Sequence, residues 1–293
     1  MTARLRRVAL LGHSGRPAVR RAATRLATRL RRRGLEVRMD DHLGAHSREP
    51  GYPIATLGRW CQLMVSLGGD GTALRAARSL AGSRATLLPV NMGGLGFLTA
   101  VEESGLDAAA DAVVAGDWPV TRRRFVEAAR HRAREKPWRG HALNDAVIKT
   151  SGGYAALHVT LEALGGDLGH LVADGLIAAT PDGSTAYSLS AGGPVMAPGV
   201  EAMVVTPVCP HTLASRSLVL PAGEALTVRV LGSFDPILLL LDGQEDTELK
   251  PGDSVELRLG RAAVHVVVNP ARPFGATLLG KLGWQGSPQR SMR

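Results

Sequence analysis

The sequence is poor in cysteine and lysine and lacks any long apolar run. Two cysteines, Cys61 and Cys209, cannot build a disulfide framework, which fits a reducing compartment. The longest apolar stretches, such as Ile237 to Leu241, have strand length and fall far below the roughly 20 residues of a membrane helix. Behind the basic start Met1-Thr-Ala-Arg-Leu-Arg-Arg7, the apolar stretch Val8 to Leu11 is too short for the core of a signal peptide, so a cytoplasmic location is expected. Gly-x4-Gly-Lys-Ser/Thr is missing, which leaves a P-loop NTPase unsupported, and no His-Arg-Asp set points to a protein kinase. Cys209-Pro-His211 has no second cysteine nearby and is not a zinc pattern; its prolines suggest a rigid loop.

What the chain does have is 293 residues, 45% hydrophobic and 21% charged, a globular balance with room for two domains. Of its 35 basic residues only Lys136, Lys149, Lys250 and Lys281 are lysines, and the formal net charge is +9. Arginine is dense near the start. Between Ala18 and Arg33, Val19, Ala22, Ala23, Leu26 and Leu30 share one helical face, and Arg20, Arg21, Arg25, Arg29 and Arg31 to Arg33 decorate the other. We read this as a solvated face rather than a nucleic-acid surface.

The first 120 residues alternate short apolar runs with helical patterns. Val8–Leu11, Leu63–Leu67 and Thr86–Val90 read as strands, and each is followed by a glycine-bearing loop. That repetition predicts an open, Rossmann-like α/β sheet with its working surface at the carboxyl ends of the strands. The stretch from Glu49 to Arg59, with two prolines and two glycines, reads as a loop. From 121 to 273 short apolar runs follow one another, including Ala142–Lys149, Val255–Leu259 and Ala263–Val268, and predict a β-rich second domain. The tail from 274 to 293 is again helical in pattern.

Gly68-Gly-Asp-Gly-Thr72 is the sharpest local signal. Gly68, Gly69 and Gly71 on a strand-to-helix turn suit close approach to phosphate and positive φ, and their N–H groups with Thr72 and the helix start make an anion cradle for a donor phosphate. A carboxylate is unwelcome there unless it works on the acceptor, so Asp70 is read as taking a proton from, or orienting, an attacking hydroxyl. Asn91 to Phe97 is a second glycine loop, in which Phe97 either stacks on a ring or packs in a core. Asn144-Asp145 interrupts an apolar run; a ribose or base edge would use the pair, and a strand end explains it equally. In Thr180-Pro-Asp-Gly-Ser-Thr-Ala-Tyr-Ser-Leu-Ser-Ala-Gly-Gly-Pro194 a turn is expected at Pro181 and Gly183, with Ser184 or Thr185 capping a helix through Leu189. Asp242-Gly-Gln244 reads as an ordinary turn.

In order over nearly the whole chain, these motifs, with Asp174-Gly175, Pro210-His-Thr-Leu213 and Lys281-Leu-Gly-Trp284, resemble the NAD kinase family. The Gly-Gly-Asp-Gly loop alone is shared with phosphofructokinases and diacylglycerol-type lipid kinases; the long Thr-Pro-x-Gly-Ser-Thr-Ala-Tyr segment is specific. The resemblance implies an α/β domain and a β-rich domain, with phosphorylation of the adenosine-ribose 2′-hydroxyl of NAD. ATP, or polyphosphate, would be the donor, with Mg²⁺ or another divalent cation. It implies Asp70 as proton acceptor, with Asp70 and Gly71 touching NAD and Arg75 turned towards phosphate. Asn144 and Asp145 would hold a ribose and Asp174 the nicotinamide end. Thr185, Ala186, Tyr187, Ser188, Leu189 and Ser190 would hold the adenosine half, with Gln244 near and Phe97 beside the adenine. A homo-oligomer, dimer or tetramer, is implied, with no membrane partner, and the tail would return to the first domain. Asp182 departs from the family's small or apolar residue and adds a negative charge beside the expected NAD loop. Two rivals are a lipid kinase with a greasy cleft and a dinucleotide-sensing or nucleic-acid-binding protein without catalysis.

Overall fold

Residues 5–283, apart from 14, 48, 95, 153 and 154, are described by the computed structural model. They divide into two compact units, Met1–Thr121 with His265–Arg293, and Arg122–Val264.

The first unit is built on strands β1 (Arg7–Gly12), β2 (Glu36–Asp40), β3 (Gly51–Tyr52), β4 (Leu63–Gly68), β5 (Thr86–Asn91) and β6 (Val101–Glu102). They form a parallel sheet in the order β5-β4-β1-β2-β3, with β6 beside β5. Strand order reverses between β1 and β4, and a doubly wound sheet opens a crevice at the carboxyl ends of such a pair. Helix α1 (Pro17–Arg32) lays Val19, Ala22, Ala23, Leu26 and Leu30 on Val8, Leu10, Leu63 and Val65, as its 3.6-residue period requires.

Part of its arginine face meets acid. Arg25 pairs with Asp107 and Arg29 and Arg33 with Asp111, on helix α5 (Leu106–Ala115), while Arg31 pairs with Glu49. Between β1 and α5 lie α2 (Asp41–Gly44), α3 (Ile54–Trp60) and α4 (Asp70–Ser79). The expected loop at 49–59 is therefore a short strand and a helix. Gly51 is there because a Cβ would lie 2.6 Å from the Asp41 Cα, and Pro53 opens α3.

The second unit is a sandwich. One sheet runs β14 (Leu218–Pro221), β13 (Ala202–Val208), β12 (Gly175–Ala179), β9 (Asp145–Thr150), β16 (Ile237–Leu241), β17 (Gln244–Leu249). The other joins β11 (Gly166–Ala173), β10 (Leu157–Ala163), β15 (Ala225–Gly232) and β18 (Ser254–Val267), with β7 (Val120–His131) and β8 (Trp138–Ala142). Ala146 and Ile148 of the first sheet and Val228, Val255 and Leu257 of the second share one apolar cluster, while Val147 points the other way against Ile177 and Met196. Burial on both faces is why Ala146 to Ile148 of β9 and Leu176 to Ala179 of β12 are continuously apolar. The two runs at 255–259 and 263–268 are a single strand, β18; its last residues, from His265 on, belong to the first unit, where His265 and Val266 pair with Thr86 and Leu87 of β5. Helix α6 (Tyr187–Ser190) lies in the second unit and α7 (Phe274–Leu282) in the first.

Candidate active site

At the end of β4 the chain turns through Gly68 and Gly69 into α4, of which Asp70 is the first residue. None of the three cradle glycines adopts the left-handed backbone expected of them. Gly68 is needed for a different reason: a Cβ there would lie 2.3 Å from the Thr72 Oγ1. A Cβ on Gly69 or Gly71 would meet nothing within 4 Å, so the turn presents bare backbone and open space at a helix N-terminus.

Asp70 turns towards the second glycine loop. Its Oδ2 accepts the Phe97 N–H at 2.9 Å and its Oδ1 the Leu98 N–H at 3.1 Å. Gly96 makes this possible, since a Cβ there would lie 2.1 Å from Asp70 Oδ1. Two bonds leave half of the carboxylate's lone pairs for a further donor. The loop is itself pinned, by Met92 N–H on Gly68 O and Gly93 N–H on the Asn91 side chain. The Phe97 ring lies 6.4 Å from the ring of Phe274 and 4.7 Å from the Lys281 ammonium, both on α7. Trp284 lies outside the described residues.

Three charged groups near this edge carried no role in the sequence reading. Arg16 reaches beside Gly93, where a Cβ would sit 3.6 Å from its guanidinium. Lys281 is the second. Asp40 ends β2 and is buried, with Oδ1 accepting the Leu43 N–H at 3.1 Å and Oδ2 lacking a partner. Burial pushes its carboxyl up, opposed by the Leu43 and Gly12 N–H groups and by the charges of His42 and Arg75. A carboxylate at the carboxyl end of a parallel strand was the available signal.

In the second unit Asn144 and Asp145 sit where β8 gives way to β9. Thr180 N–H donates to Asn144 O at 2.9 Å, and Thr180 Oγ1 to Leu143 O at 2.5 Å. Gly183 packs so closely that a Cβ would lie 2.0 Å from Asn144 O. The Asn144 Oδ1 is buried without a partner, which leaves it for a donor from outside the chain. Burial first, and the neighbouring charge of Asp242 second, push the Asp145 carboxyl up to about 7.

The segment after Thr180 departs from expectation in detail. Residues Gly183–Thr185 form a 3₁₀ turn, and α6 follows with Ala186 at its start and no side-chain cap. Ser184 instead donates to Pro181 O and accepts the Met196 N–H, while Thr185 Oγ1 donates to Asp182 O. Ser188 is buried against Thr206 Oγ1 at 2.9 Å; Tyr187 and Ser190 are exposed, and Ala186 and Leu189 half-buried. Asp182 does not face the loop as a bare charge. It pairs with Arg123 at 2.7 Å, both side chains mostly buried. Asp174 stands apart from the other expected NAD residues. It precedes β12 at the end opposite Ala179, which registers with Asp145, so roughly 17 Å of strand separates the two. There it accepts a hydrogen bond from the Cys209 thiol, which pushes that thiol up. Gln244 opens β17, opposite Leu241. Among the described residues no group of three or more His, Cys, Asp and Glu could hold a metal ion.

Residues 8–118 match the family model described as the ATP-NAD kinase N-terminal domain, and residues 143–268 the ATP-NAD kinase C-terminal domain. The chain is 36% identical over 282 residues to the NAD kinase of Geobacter metallireducens, covering 96% of this chain and 99% of that one. Its fold matches a yeast NADH kinase solved with NADH, with a TM-score of 0.90 at 24% identity, over 99% of this chain and 91% of the other. An NAD kinase from Archaeoglobus fulgidus solved with ATP matches with a TM-score of 0.73 at 23% identity, over 92% of this chain and 98% of the other.

Proposed function

The chain belongs to the NAD kinase family, whose reaction converts NAD to NADP, and from that premise we propose how its own residues divide the work. The donor is ATP, supported by the ATP-NAD kinase domains that match and by the ATP held in the archaeal structure. Its phosphates lie against the glycine turn and helix start from Gly68 to Thr72, with Arg75 on the next turn of α4 adding charge. Asp70 accepts the proton of the ribose 2′-hydroxyl as that oxygen attacks the terminal phosphorus. The new O–P bond forms as the bond to the leaving diphosphate breaks, giving NADP and ADP.

What supports this most is the grip on Asp70 by the Phe97 and Leu98 N–H groups, which aims one carboxylate at the edge of the phosphate cradle. A divalent cation fits this site as a passenger of the donor phosphates, since the cradle itself offers only the Thr72 hydroxyl and the Asp70 carboxylate. When bound, such an ion offsets charge on the transferring group. The buried, unpartnered Asn144 Oδ1 and the Asp145 carboxyl take ribose hydroxyls of NAD, and the exposed start of α6 takes the adenosine half. A homo-oligomer is supported by large apolar side chains left bare on the second unit, Phe234 and Leu213 among them.

A coupled assay tests the reading: purified protein, ATP, Mg²⁺ and NAD, with product detected by a dehydrogenase specific for NADP. Asp70→Asn should fold, bind NAD and lose most turnover; a near-normal rate removes Asp70 from its role. Turnover with polyphosphate but not with ATP would overturn the choice of donor.

A further inference from the structure

The turn that carries Asn144 and Asp145 is held from outside by one residue far along the chain. Asp242 follows β16 at the corner of the β16–β17 hairpin, with a left-handed backbone (φ +53°) that a non-glycine residue rarely takes. From that corner its Oδ2 accepts the Leu143 N–H at 3.0 Å and its Oδ1 the Asn144 N–H at 2.7 Å, with the Asp145 N–H more distant at 3.4 Å. Its own N–H donates to Asp145 O at 3.0 Å, so the two segments are locked in both directions. An ordinary hairpin turn needs none of this.

We propose that Asp242 is a positioning residue for NAD: its carboxylate fixes the peptide planes of Leu143 and Asn144, and so aims the Asn144 side chain and the Asp145 carboxyl at the substrate's hydroxyls. The proposal rests on the reading that Asn144 and Asp145 touch NAD. Without those backbone N–H bonds the turn could rotate while β8 and β9 stay paired in their sheets. Asp242 also acts through charge. The groups packed against Asp145 are apolar on the β12 side, where Ala179 registers with it, and acidic at the β16 corner. Among the described residues, Asp242 is the charged group that acts on Asp145.

Asp242→Asn isolates the effect, because asparagine tolerates the left-handed corner while its amide loses the charge and half of the acceptor capacity. The experiment is steady-state kinetics of the full-length enzyme across pH 5.5 to 9 with NAD varied and ATP saturating. Asn144→Ala is run beside it. Asp242→Asn should raise KM for NAD by about tenfold with kcat largely kept, and should move the inflection of kcat/KM near pH 7 to lower pH. A variant that was merely less stable would lower the active fraction and leave that inflection where it was. If Asp242→Asn does not fold, Asp242→Glu serves: it keeps the charge, so KM rises while the inflection stays. A KM within about twofold of wild type and an unmoved inflection in Asp242→Asn overturn the proposal. An unchanged KM in Asn144→Ala overturns the site reading on which it stands, whatever Asp242 does.

Discussion

Two buried acids of the second unit, Asp145 and Asp182, look alike in the sequence and behave differently. Asp145 holds its proton up to about pH 7 because burial and Asp242 both oppose its charge. An unfolded chain releases that proton near pH 4. Between those values the folded state binds more protons, so this carboxyl makes the fold less stable as pH rises from about 4 to about 7 and flat above, by on the order of 4 kcal/mol. Asp145→Asn should therefore melt higher than wild type at pH 8 and alike at pH 4.5; equal melting differences at both pH values would refute the assignment. Asp182 has the opposite answer. Burial pushes its carboxyl up, but Arg123 is its partner and pulls it back. Asp182→Thr should thus not tighten NAD binding, as a bare repelling charge would have suggested. It should strand a mostly buried guanidinium and cost about 3 kcal/mol in a thermal melt, with Arg123→Met in the same chain restoring most of the loss. Whether a carboxylate is neutralised by an arginine some 60 positions away is a matter of tertiary contact, invisible along the chain. Asp70, Asn144 and Asp145 stand out in the sequence as candidates because a polar residue in a glycine turn or an apolar run calls for a hydrogen-bond partner. Asp40 ends a strand with nothing beside it to mark it, and Asp242 reads only as part of an ordinary turn.

At the level of elements, the α/β alternation of the first unit was readable from period and glycine placement, since strands buried on both faces give continuous apolar runs. Reading failed where packing overrode local signals. Pro50, Gly51 and Pro53 suggested a loop, and instead Gly51 permits a close approach to α2 and Pro53 starts α3. Ser184 and Thr185 suggested caps, and their hydroxyls went to Pro181, Met196 and Asp182. Helix α7 meets the second glycine loop through Phe274 and Lys281, which face the Phe97 ring. A cation over an aromatic face is worth roughly 0.5–1 kcal/mol at an accessible site. Lys281→Met should accordingly lower kcat by up to about fivefold, and Lys281→Arg should retain it; equal rates for all three chains would detach α7 from the active loop. The arginine face of α1 is quieter. Its pairs with Asp107 and Asp111 are half exposed, so Asp111→Asn should shift stability by less than about 1 kcal/mol, checked by urea unfolding.

At the scale of the molecule, the change of texture near residue 121 marked the passage from α/β to β-rich structure, because period 2 and period 3.6 leave different traces. What the pattern split into two runs, 255–259 and 263–268, is the single strand β18, whose Gly260 reads as a break and is in fact where the Glu127 side chain lies against the backbone. Leu213→Asp should lower the mass seen by light scattering while leaving the melting temperature close to wild type, and an unchanged mass would remove that side chain from any contact between copies. The far end of β18 carries a further consequence, one of timing. The edge of β5 at Thr86 and Leu87 finds its partner only in His265 and Val266. A ribosome adding 5–20 residues each second needs roughly 10 to 35 seconds to travel that far. During that interval Thr86 and Leu87 present an unpaired edge of the kind on which another strand can add.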